Sequence, residues 1–392
     1  MARDRRSTGP GDEPMVARWG SEHPSAPLVV ALHGNGTSEH SMIEISPWLP
    51  HGPVAYVAVR APIEYGTGFC WYRDAGDGRP DPAELAVTCR WFLRWLDTEG
   101  DPDRSVLLMG FRDGVTFAGA LMLGAPHRFS GAVLLYGALP FDAGVTMRRG
   151  GLAGMPVFLA HGTDDTRTPA PLLARTWDWL TRQSGAPLWA ERVGGGDQLA
   201  GTVVGDVATW LGDRLDHLRA HGENPVPDGD EPSWETLSGG RLPRRAGEPP
   251  YVTAGIPQHQ ESQNAPPHLQ ERLWDRLAAL EAVATAPTTV GVPGTRALLL
   301  DRAVATGPDA AFILPAVGEF AHLHPEPDGS LHVVLPDALA YDALAKGWAV
   351  AHPLAGVRLS PGMVLVPGPR DAAEVEIVAG IAAASHRYAG GS

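Results

Sequence analysis

The chain has 392 residues, of which 44% are apolar, and this is enough for two domains of roughly 100–200 residues each. Its formal net charge is −14 and it lacks a long basic run, so we expect neither nucleic acid nor a membrane surface as a partner. No signal peptide or membrane-spanning stretch is visible, and two cysteines, Cys70 and Cys89, fit a reducing compartment. These features predict a cytoplasmic protein.

The first half of the chain has the pattern of a layered α/β domain. We expect residues 1–26 to form a flexible tail and residues 27–220 to form the domain. Continuous apolar runs predict buried strands at 27–32, 54–59, 106–109, 131–136 and 156–160. Amphipathic stretches between and after them predict helices at 82–98, 114–124, 170–184 and 202–220. Buried strands that alternate with helices predict a doubly wound, mostly parallel sheet.

The second half differs in composition and pattern. Residues 221–266 are polar and rich in proline, which predicts a linker, and residues 267–392 are expected to form a smaller α+β domain. Leucines at helical spacing predict a helix at 268–284. Further helices are predicted at 336–346 and 371–387, and short strands at 288–292, 296–300, 311–315, 319–324, 331–335 and 363–366.

Four landmarks in the first half follow one another as in a hydrolase. His33-Gly34-Asn35-Gly36 follows the first strand, where a backbone N–H could point at a developing oxyanion. Gly110-Phe111-Arg112-Asp113-Gly114 lies at a strand-to-helix turn. Asp165 follows a later strand, and Asp197 ends a glycine-rich loop.

These residues resemble α/β-hydrolases of the carboxylesterase, acyl-thioesterase and phospholipase type. The resemblance puts the acid at Asp165, but it puts Arg112 where the nucleophile belongs and Asp197 where the histidine belongs. A guanidinium cannot attack an ester, so we interpret this domain as a catalytically degenerate hydrolase. Asp113 is one residue past the nucleophile position and is expected to face elsewhere. Arg112 could form an ion-pair network with Asp165 and Asp197, or it could bind an anionic ligand.

The second half contains a group of histidines. His322 and His324 are two residues apart on a predicted strand and therefore point to the same face, and His332 lies on the next strand. Three imidazoles on one surface could bind a metal ion, transfer protons without a metal, or form hydrogen bonds that only stabilise the hairpin. The spacing leaves these three interpretations open.

The histidines belong to a longer pattern that resembles the fungal luciferase family and its bacterial relatives. The matching residues are Glu319-x-Ala321-His322-x-His324, Leu331-His332-x-x-Leu335, Gly347-Trp348, His352-Pro353-Leu354-Ala355-Gly356, Pro369-Arg370-Asp371 and Ala384-Ser385. The resemblance implies a pocket for a small, flat, oxygenated substrate and O2 as a co-substrate, without flavin or nicotinamide. It makes His322, His324 and His332 candidate bases or metal ligands. His352 and Arg370 become candidates to stabilise an anion, and Glu319 either orients a histidine across a bulge or is solvated.

We therefore interpret the protein as an oxygenase-type enzyme of secondary metabolism that acts on an enolic, pyranone or polyphenol-like small molecule. Its chemistry would reside in the second domain, with no organic cofactor and either no metal or one divalent metal ion. One alternative is a protein that binds a ligand or partner without catalysis. Another is an esterase or thioesterase with non-standard catalytic residues. The sequence leaves the oligomeric state unassigned.

Overall fold

The computed structural model describes residues 13–75, 79–224 and 231–391. They fall into two compact units. The first comprises Met1–Met147, Phe158–Thr176 and Glu191–Arg219, and the second comprises Arg148–Val157, Trp177–Ala190 and Ala220–Ser392. These bounds differ from the predicted domains because two segments of the hydrolase-like half belong to the second unit. No helix among the described residues is long and apolar enough to cross a membrane.

A seven-stranded sheet forms the framework of the hydrolase-like half. Its strands are β1 (Val16–Gly20), β2 (Leu28–Leu32), β3 (Ala55–Val59), β6 (Val106–Phe111), β7 (Gly131–Leu135), β8 (Val157–Gly162) and β9 (Leu188–Val193), and a separate hairpin consists of β4 (Ile63–Tyr65) and β5 (Gly68–Cys70). The strand order is β1-β3-β2-β6-β7-β8-β9, in which β3, β2, β6 and β7 pair in parallel. The helices are α1 (His40–Ile43), α2 (Pro82–Leu96), α3 (Asp113–Gly124), α4 (Ala170–Arg182) and α5 (Gly201–His221). The predicted mostly parallel sheet is confirmed.

The predicted flexible tail contains strand β1, which pairs antiparallel with β3. Trp19 stacks on Tyr56 with ring centroids 5.2 Å apart, and Arg18 forms an ion pair with Glu99 at 2.6 Å. The tail prediction is therefore wrong for this stretch, because its alternating side chains suit an edge strand with one covered face. Residues 1–12 of the predicted tail lie outside the described residues.

The second unit is built on a six-stranded antiparallel sheet of order β10-β11-β12-β13-β15-β14. Its strands are β10 (Val283–Pro287), β11 (Arg296–Leu300), β12 (Glu319–Leu323), β13 (Leu331–Val334), β14 (Val350–Ala351) and β15 (Met363–Val366). Its helices are α6 (Pro267–Ala278), α7 (Asp337–Lys346) and α8 (Ala372–Ala389). The predicted strand at 288–292 is wrong, since the nearest strand, β10, ends at Pro287. The predicted strand at 311–315 is also wrong, because its two ends belong to the 3-10 turns Asp309–Ala311 and Pro315–Val317.

Residues 231–266, which belong to the predicted linker, pack as part of the second unit. Trp234 is fully buried in its core with Leu237 and Leu242, and its indole N–H donates to Asp342 at 2.8 Å. Arg245 is also buried and forms an ion pair with Glu374 at 3.1 Å. The linker interpretation does not describe these residues, because a few apolar and charged anchors fix a segment that is otherwise polar. Residues 225–230 lie outside the described part of the chain.

Candidate functional site

The four histidines of the second half lie together in the structure, and we call His322, His324, His332 and His352 the histidine cluster. His322 on β12 lies directly opposite His332 on β13, and the two rings are 5.1 Å apart. His324 follows β12, with its ring 4.8 Å from that of His332, and the ring of His352 is 5.4 Å from His332 on another side. All four side chains are buried. The predicted hairpin with three imidazoles on one surface is therefore what the structure contains.

Three of these rings have a hydrogen-bond partner on their outer side. His322 Nδ1 is 2.7 Å from Glu319 Oε1, and His332 Nε2 is 3.0 Å from Gln258 Oε1. His324 Nδ1 is 2.8 Å from Asp328 Oδ2. Such outer partners orient histidines that serve as metal ligands, because they fix which ring nitrogen carries the proton.

Glu319 reaches His322 because β12 is irregular. The pairing with β11 shifts between Leu298, opposite Ala321, and Leu299, opposite Glu319. One extra residue therefore bulges from β12, and Glu319 turns to the same face as His322. The bulged alternative for Glu319 describes the structure, and the solvated alternative does not, because Glu319 is buried and also accepts hydrogen bonds from Thr288.

Gln258 fixes the hydrogen-bond directions within the cluster. Its Nε2 donates to the Ala351 carbonyl oxygen at 3.1 Å, so its Oε1 accepts from His332 Nε2–H. The Nδ1 of a neutral His332 is then bare, and it lies 3.0 Å from His322 Nε2. The contacts Glu319–His322–His332–Gln258 need three protons, whereas two neutral rings carry two. With Glu319 ionised and both rings neutral, one of these three contacts lacks a proton, and either an added proton or a metal ion between the two rings would satisfy it.

Burial disfavours a positive charge on the rings themselves. Loss of hydration lowers the pKa of His322, in spite of Glu319, and lowers that of His332 well below its usual value. Burial also lowers the pKa of His352 to about 4. Neutral rings at neutral pH are the form in which histidine binds metals.

The geometry of the inner nitrogens fits a metal ion. Ligand atoms of His322, His324 and His332 lie within 4.8 Å of one another. With the outer nitrogens engaged, the inner ones are Nε2 of His322, Nε2 of His324 and Nδ1 of His332. A cation about 2.1 Å from each of two nitrogens that are 3.0 Å apart would see them at roughly 90°. Three histidines without a thiolate suit zinc, iron, copper or nickel rather than calcium or magnesium.

The two predicted anion stabilisers have different surroundings. The backbone N–H of Leu354 donates to His352 Nδ1 at 3.1 Å, so the proton of neutral His352 is on Nε2 and is available to a ligand. Arg370 instead forms an ion pair with Glu374 and donates to the carbonyl oxygen of Ala246 at 2.8 Å. The Arg370 guanidinium therefore tethers the chain, and its role as an anion stabiliser stays a prediction.

Two important partners were missed by sequence reasoning. Gln258 lies in the segment predicted as a linker, where a lone glutamine gives no signal. Asp328 lies in the turn between β12 and β13, and its carboxylate orients His324 and accepts from the backbone N–H of Ser330 at 2.9 Å. Burial raises the pKa of Asp328, but the contacts with His324 and the hydrogen bonds from Ser330 together outweigh it, and the pKa of Asp328 is lowered. An acid four residues after H-x-H was the one available clue.

The first unit preserves the backbone of a nucleophile elbow around Arg112. This residue connects β6 to α3 with φ 53° and ψ −116°, a strained conformation for any residue other than glycine. The turn depends on close backbone approach, since a Cβ at Gly114 would lie 2.1 Å from the carbonyl oxygen of Leu32, and one at Gly137 would lie 2.2 Å from that of Arg112. The side chain at position 112 is therefore presented as a nucleophile would be.

The ion pairs of this site differ from the predicted network. Arg112 Nη2 is 2.7 Å from Asp197 Oδ2, and Arg167 Nε is 3.4 Å from the same oxygen. Asp165 Oδ1 instead accepts from the backbone N–H groups of Arg167 and Thr168. Arg112 therefore pairs with Asp197, as one alternative expected, but the described residues show no pair between Arg112 and Asp165.

The Asp113 carboxylate contacts the glycine-rich loop, where the hydrolase resemblance predicts an oxyanion site. The backbone N–H of Asn35 donates to Asp113 Oδ2 at 3.0 Å, and the hydroxyl of Tyr72 lies 3.5 Å from Asp113 Oδ1. The first turn of α3 directs the Asp113 carboxylate at the backbone of the glycine-rich loop, whereas the Arg112 side chain pairs with Asp197. A carboxylate that accepts from the Asn35 N–H disfavours a second negative charge beside that N–H.

The two halves of the chain are similar to different known proteins. Residues 317–385 match the Luciferase domain family. This match contains three ligand candidates of the histidine cluster, together with Glu319 and His352. It confirms the resemblance drawn from the sequence for the C-terminal region. No curated protein matches the chain.

The other half is similar to solved hydrolases. A carboxylesterase from Bacillus cereus is 20% identical, with 52% of this chain and 95% of that chain covered at a TM-score of 0.46. Acyl-protein thioesterase 2 from Zea mays is 19% identical, with 51% of this chain and 99% of that chain covered at a TM-score of 0.44. A carboxylesterase from Mesorhizobium loti is 19% identical, with 51% of this chain and 99% of that chain covered at a TM-score of 0.42.

Restoring ester hydrolysis should require three changes in the first unit. Arg112→Ser with Asp197→His supplies a hydroxyl and an imidazole, but the Asp113 carboxylate still occupies the Asn35 N–H. We expect no hydrolysis of p-nitrophenyl esters by the wild type and only trace activity in the double variant. Adding Asp113→Ala should raise the rate about 100-fold, since one oxyanion donor contributes roughly 10²–10³. Adding Asp113→Asn is the control, because its amide oxygen can still accept from Asn35. A double variant as active as the triple one would contradict this role of Asp113.

Proposed function

We propose that the second unit is an oxygenase-type enzyme whose reaction takes place at the histidine cluster, on a small enolic, pyranone or polyphenol-like substrate. The match of residues 317–385 to the Luciferase domain supports this class of reaction. The observation that carries the proposal is the pair of ring nitrogens, His322 Nε2 and His332 Nδ1, which face each other at 3.0 Å without enough protons to satisfy them.

In this proposal His322, His324 and His332 hold one divalent metal ion, and Glu319, Asp328 and Gln258 hold the three rings in the required tautomers. A cation at this position supplies positive charge that stabilises an enolate oxygen. One enol and one O2 can combine into one hydroperoxide, so the reaction needs neither an external reductant nor an organic cofactor.

His352 is the fourth member of the proposed site. Its tautomer is fixed by Leu354, and its pKa of about 4 keeps the ring neutral, so Nε2–H remains a hydrogen-bond donor at neutral pH. A neutral donor can stabilise a negative charge that develops on the substrate, and it does not hold the substrate in a tight ion pair. The burial of all four rings also excludes bulk water, which strengthens these interactions.

The test combines metal analysis with oxygen consumption. We expect purified protein to contain about one transition-metal ion per chain and to consume O2 with at least one member of a panel of hydroxypyranones, enols and catechols. Chelation should abolish the uptake, and re-addition of the same metal should restore it. A metal-free protein that binds a panel member without consuming O2 would favour the non-catalytic binding interpretation.

A further inference from the structure

The loop between β10 and β11, residues 288–295, contacts the histidine cluster through Glu319. The hydroxyl of Thr288 lies 2.9 Å from Glu319 Oε1 and 3.0 Å from Glu319 Oε2. Glu319 Oε1 is in turn 2.7 Å from His322 Nδ1. Thr288 is therefore linked to a proposed metal ligand through one carboxylate, although it lies outside residues 317–385, which match the Luciferase domain.

We infer that Thr288 is a positioning residue of the proposed metal site. Its hydroxyl fixes the Glu319 carboxylate so that Oε1 faces His322 and keeps the ring proton of His322 on Nδ1. The Nε2 of a neutral His322 is then bare and available to a metal ion. The inference rests on the proposed function for the metal, whereas its effect on the tautomer of His322 can be measured in metal-free protein.

The first argument is the direction of the Thr288 hydrogen bond. The backbone N–H of Val290 donates to Thr288 Oγ1 at 3.2 Å, so the hydroxyl oxygen already serves as an acceptor. Among residues 13–75, 79–224 and 231–391, Glu319 offers the only acceptor within hydrogen-bond distance of the hydroxyl proton. The backbone of the loop thus orients the hydroxyl, and the hydroxyl donates to the carboxylate.

The second argument is that Glu319 depends on this donor. Its side chain is 1% exposed, so bulk water cannot supply a hydrogen bond. In the described part of the chain, the Thr288 hydroxyl is the only donor within hydrogen-bond distance of Glu319 Oε2. Without this hydroxyl Oε2 would be buried and unpaired, which is costly, and the carboxylate would turn away from His322 to find another donor.

The third argument is that the loop restrains the Thr288 side chain. The backbone N–H of Thr288 donates to the carbonyl oxygen of Thr295 at 3.3 Å, and the N–H of Thr295 donates to that of Val292 at 3.1 Å. A Cβ at Gly291 would lie 2.9 Å from Thr288 Cγ2 and 2.9 Å from Thr295 Oγ1. The glycine therefore lets the loop close against a β-branched side chain that has few rotamers of its own.

The first test measures the tautomer of His322 in metal-free, full-length protein by ¹⁵N NMR of the histidine rings, with His322→Gln used to assign the signals. We expect the wild type to carry the proton on Nδ1. Thr288→Val keeps the shape of the side chain but loses the hydroxyl, so His322 should become a mixture of the two tautomers. Thr288→Ser retains the hydroxyl and should restore the wild-type spectrum.

The second test is a calorimetric titration of the same metal-free proteins with Zn²⁺. Thr288→Val should bind Zn²⁺ about 10-fold more weakly, at the lower end of the effect of an outer partner of a ligand. Thr288→Ser should bind it as the wild type does. Thr289→Val is the matched control, because this neighbouring threonine is exposed, and it should change neither the tautomer nor the affinity.

Circular dichroism establishes that each variant is folded. If Thr288→Val is not, Gly291→Ala decides the question, since its methyl group displaces the Thr288 side chain and should produce the same mixture of tautomers. His322 with its proton on Nδ1 in both wild type and Thr288→Val would overturn the inference, and so would failure of Thr288→Ser to restore the wild-type spectrum. A wild type that binds no Zn²⁺ contradicts the proposed function instead, and the tautomer of His322 still decides the role of Thr288.

Discussion

His332→Ala should reduce the bound metal from about one ion per chain to almost none and abolish oxygen uptake. His332 occupies the centre of the cluster, where its Nδ1 faces His322 Nε2 and its Nε2 is fixed by Gln258. Its removal takes away one of three proposed ligands and the neighbour that positions a second. Metal analysis by mass spectrometry and an oxygen electrode measure the two effects.

Two further variants make this prediction specific. Gln258→Ala leaves all ligands in place but releases the outer nitrogen of His332, so metal affinity should fall by about 10–100-fold without vanishing. His259→Ala is the matched control, because this neighbouring histidine is half-buried and its ring contacts the backbone carbonyl oxygen of Pro257. If wild type carries no metal and His332→Ala merely lowers stability, the cluster is a structural hydrogen-bond network.

Trp234→Ala should lower the free energy of unfolding of the second unit by about 3–5 kcal/mol. The indole is fully buried in the core of this unit, and its N–H donates to Asp342. Trp234→Phe retains most of the packing and loses the hydrogen bond, so it should have a smaller effect of about 1–3 kcal/mol. Urea unfolding followed by fluorescence and circular dichroism measures both changes.

Tyr251→Ala is the control within the same segment. This ring is 53% exposed and contacts Arg182 through a cation–π interaction at 4.3 Å, so its loss should change stability by no more than about 1 kcal/mol. Limited proteolysis gives an independent measure, because cleavage within 231–266 should accelerate in Trp234→Ala and remain slow in the wild type. Rapid cleavage of the native wild type there, with no effect of Trp234→Ala on stability, would restore the linker interpretation.

The catalytic candidates could be read from the sequence only in part. H-x-H on a strand determines that His322 and His324 share a face, because side chains alternate along a strand. That His332 joins them was a prediction, since it also depends on the register between the two strands. The outer partners could not be read in this way. Glu319 contacts His322 because β12 has a bulge, and Gln258 belongs to a segment that is distant in the sequence. Both contacts therefore depend on tertiary packing.

The sequence by itself determined the mostly parallel sheet of the first half, since continuous apolar runs between amphipathic helices are stable only as strands covered on both faces. The hydrolase resemblance also predicted that Arg112 and Asp197 stand where a hydrolase needs its nucleophile and base. Only the tertiary structure shows that Asp113 accepts from the backbone N–H of Asn35 and that Arg370 forms an ion pair with Glu374. The same holds for Trp234, whose burial anchors the segment predicted as a linker. The physical reason is that strand and helix patterns are local, whereas the partner of a charge, a ring or a single anchor residue is chosen by contacts between distant parts of the chain.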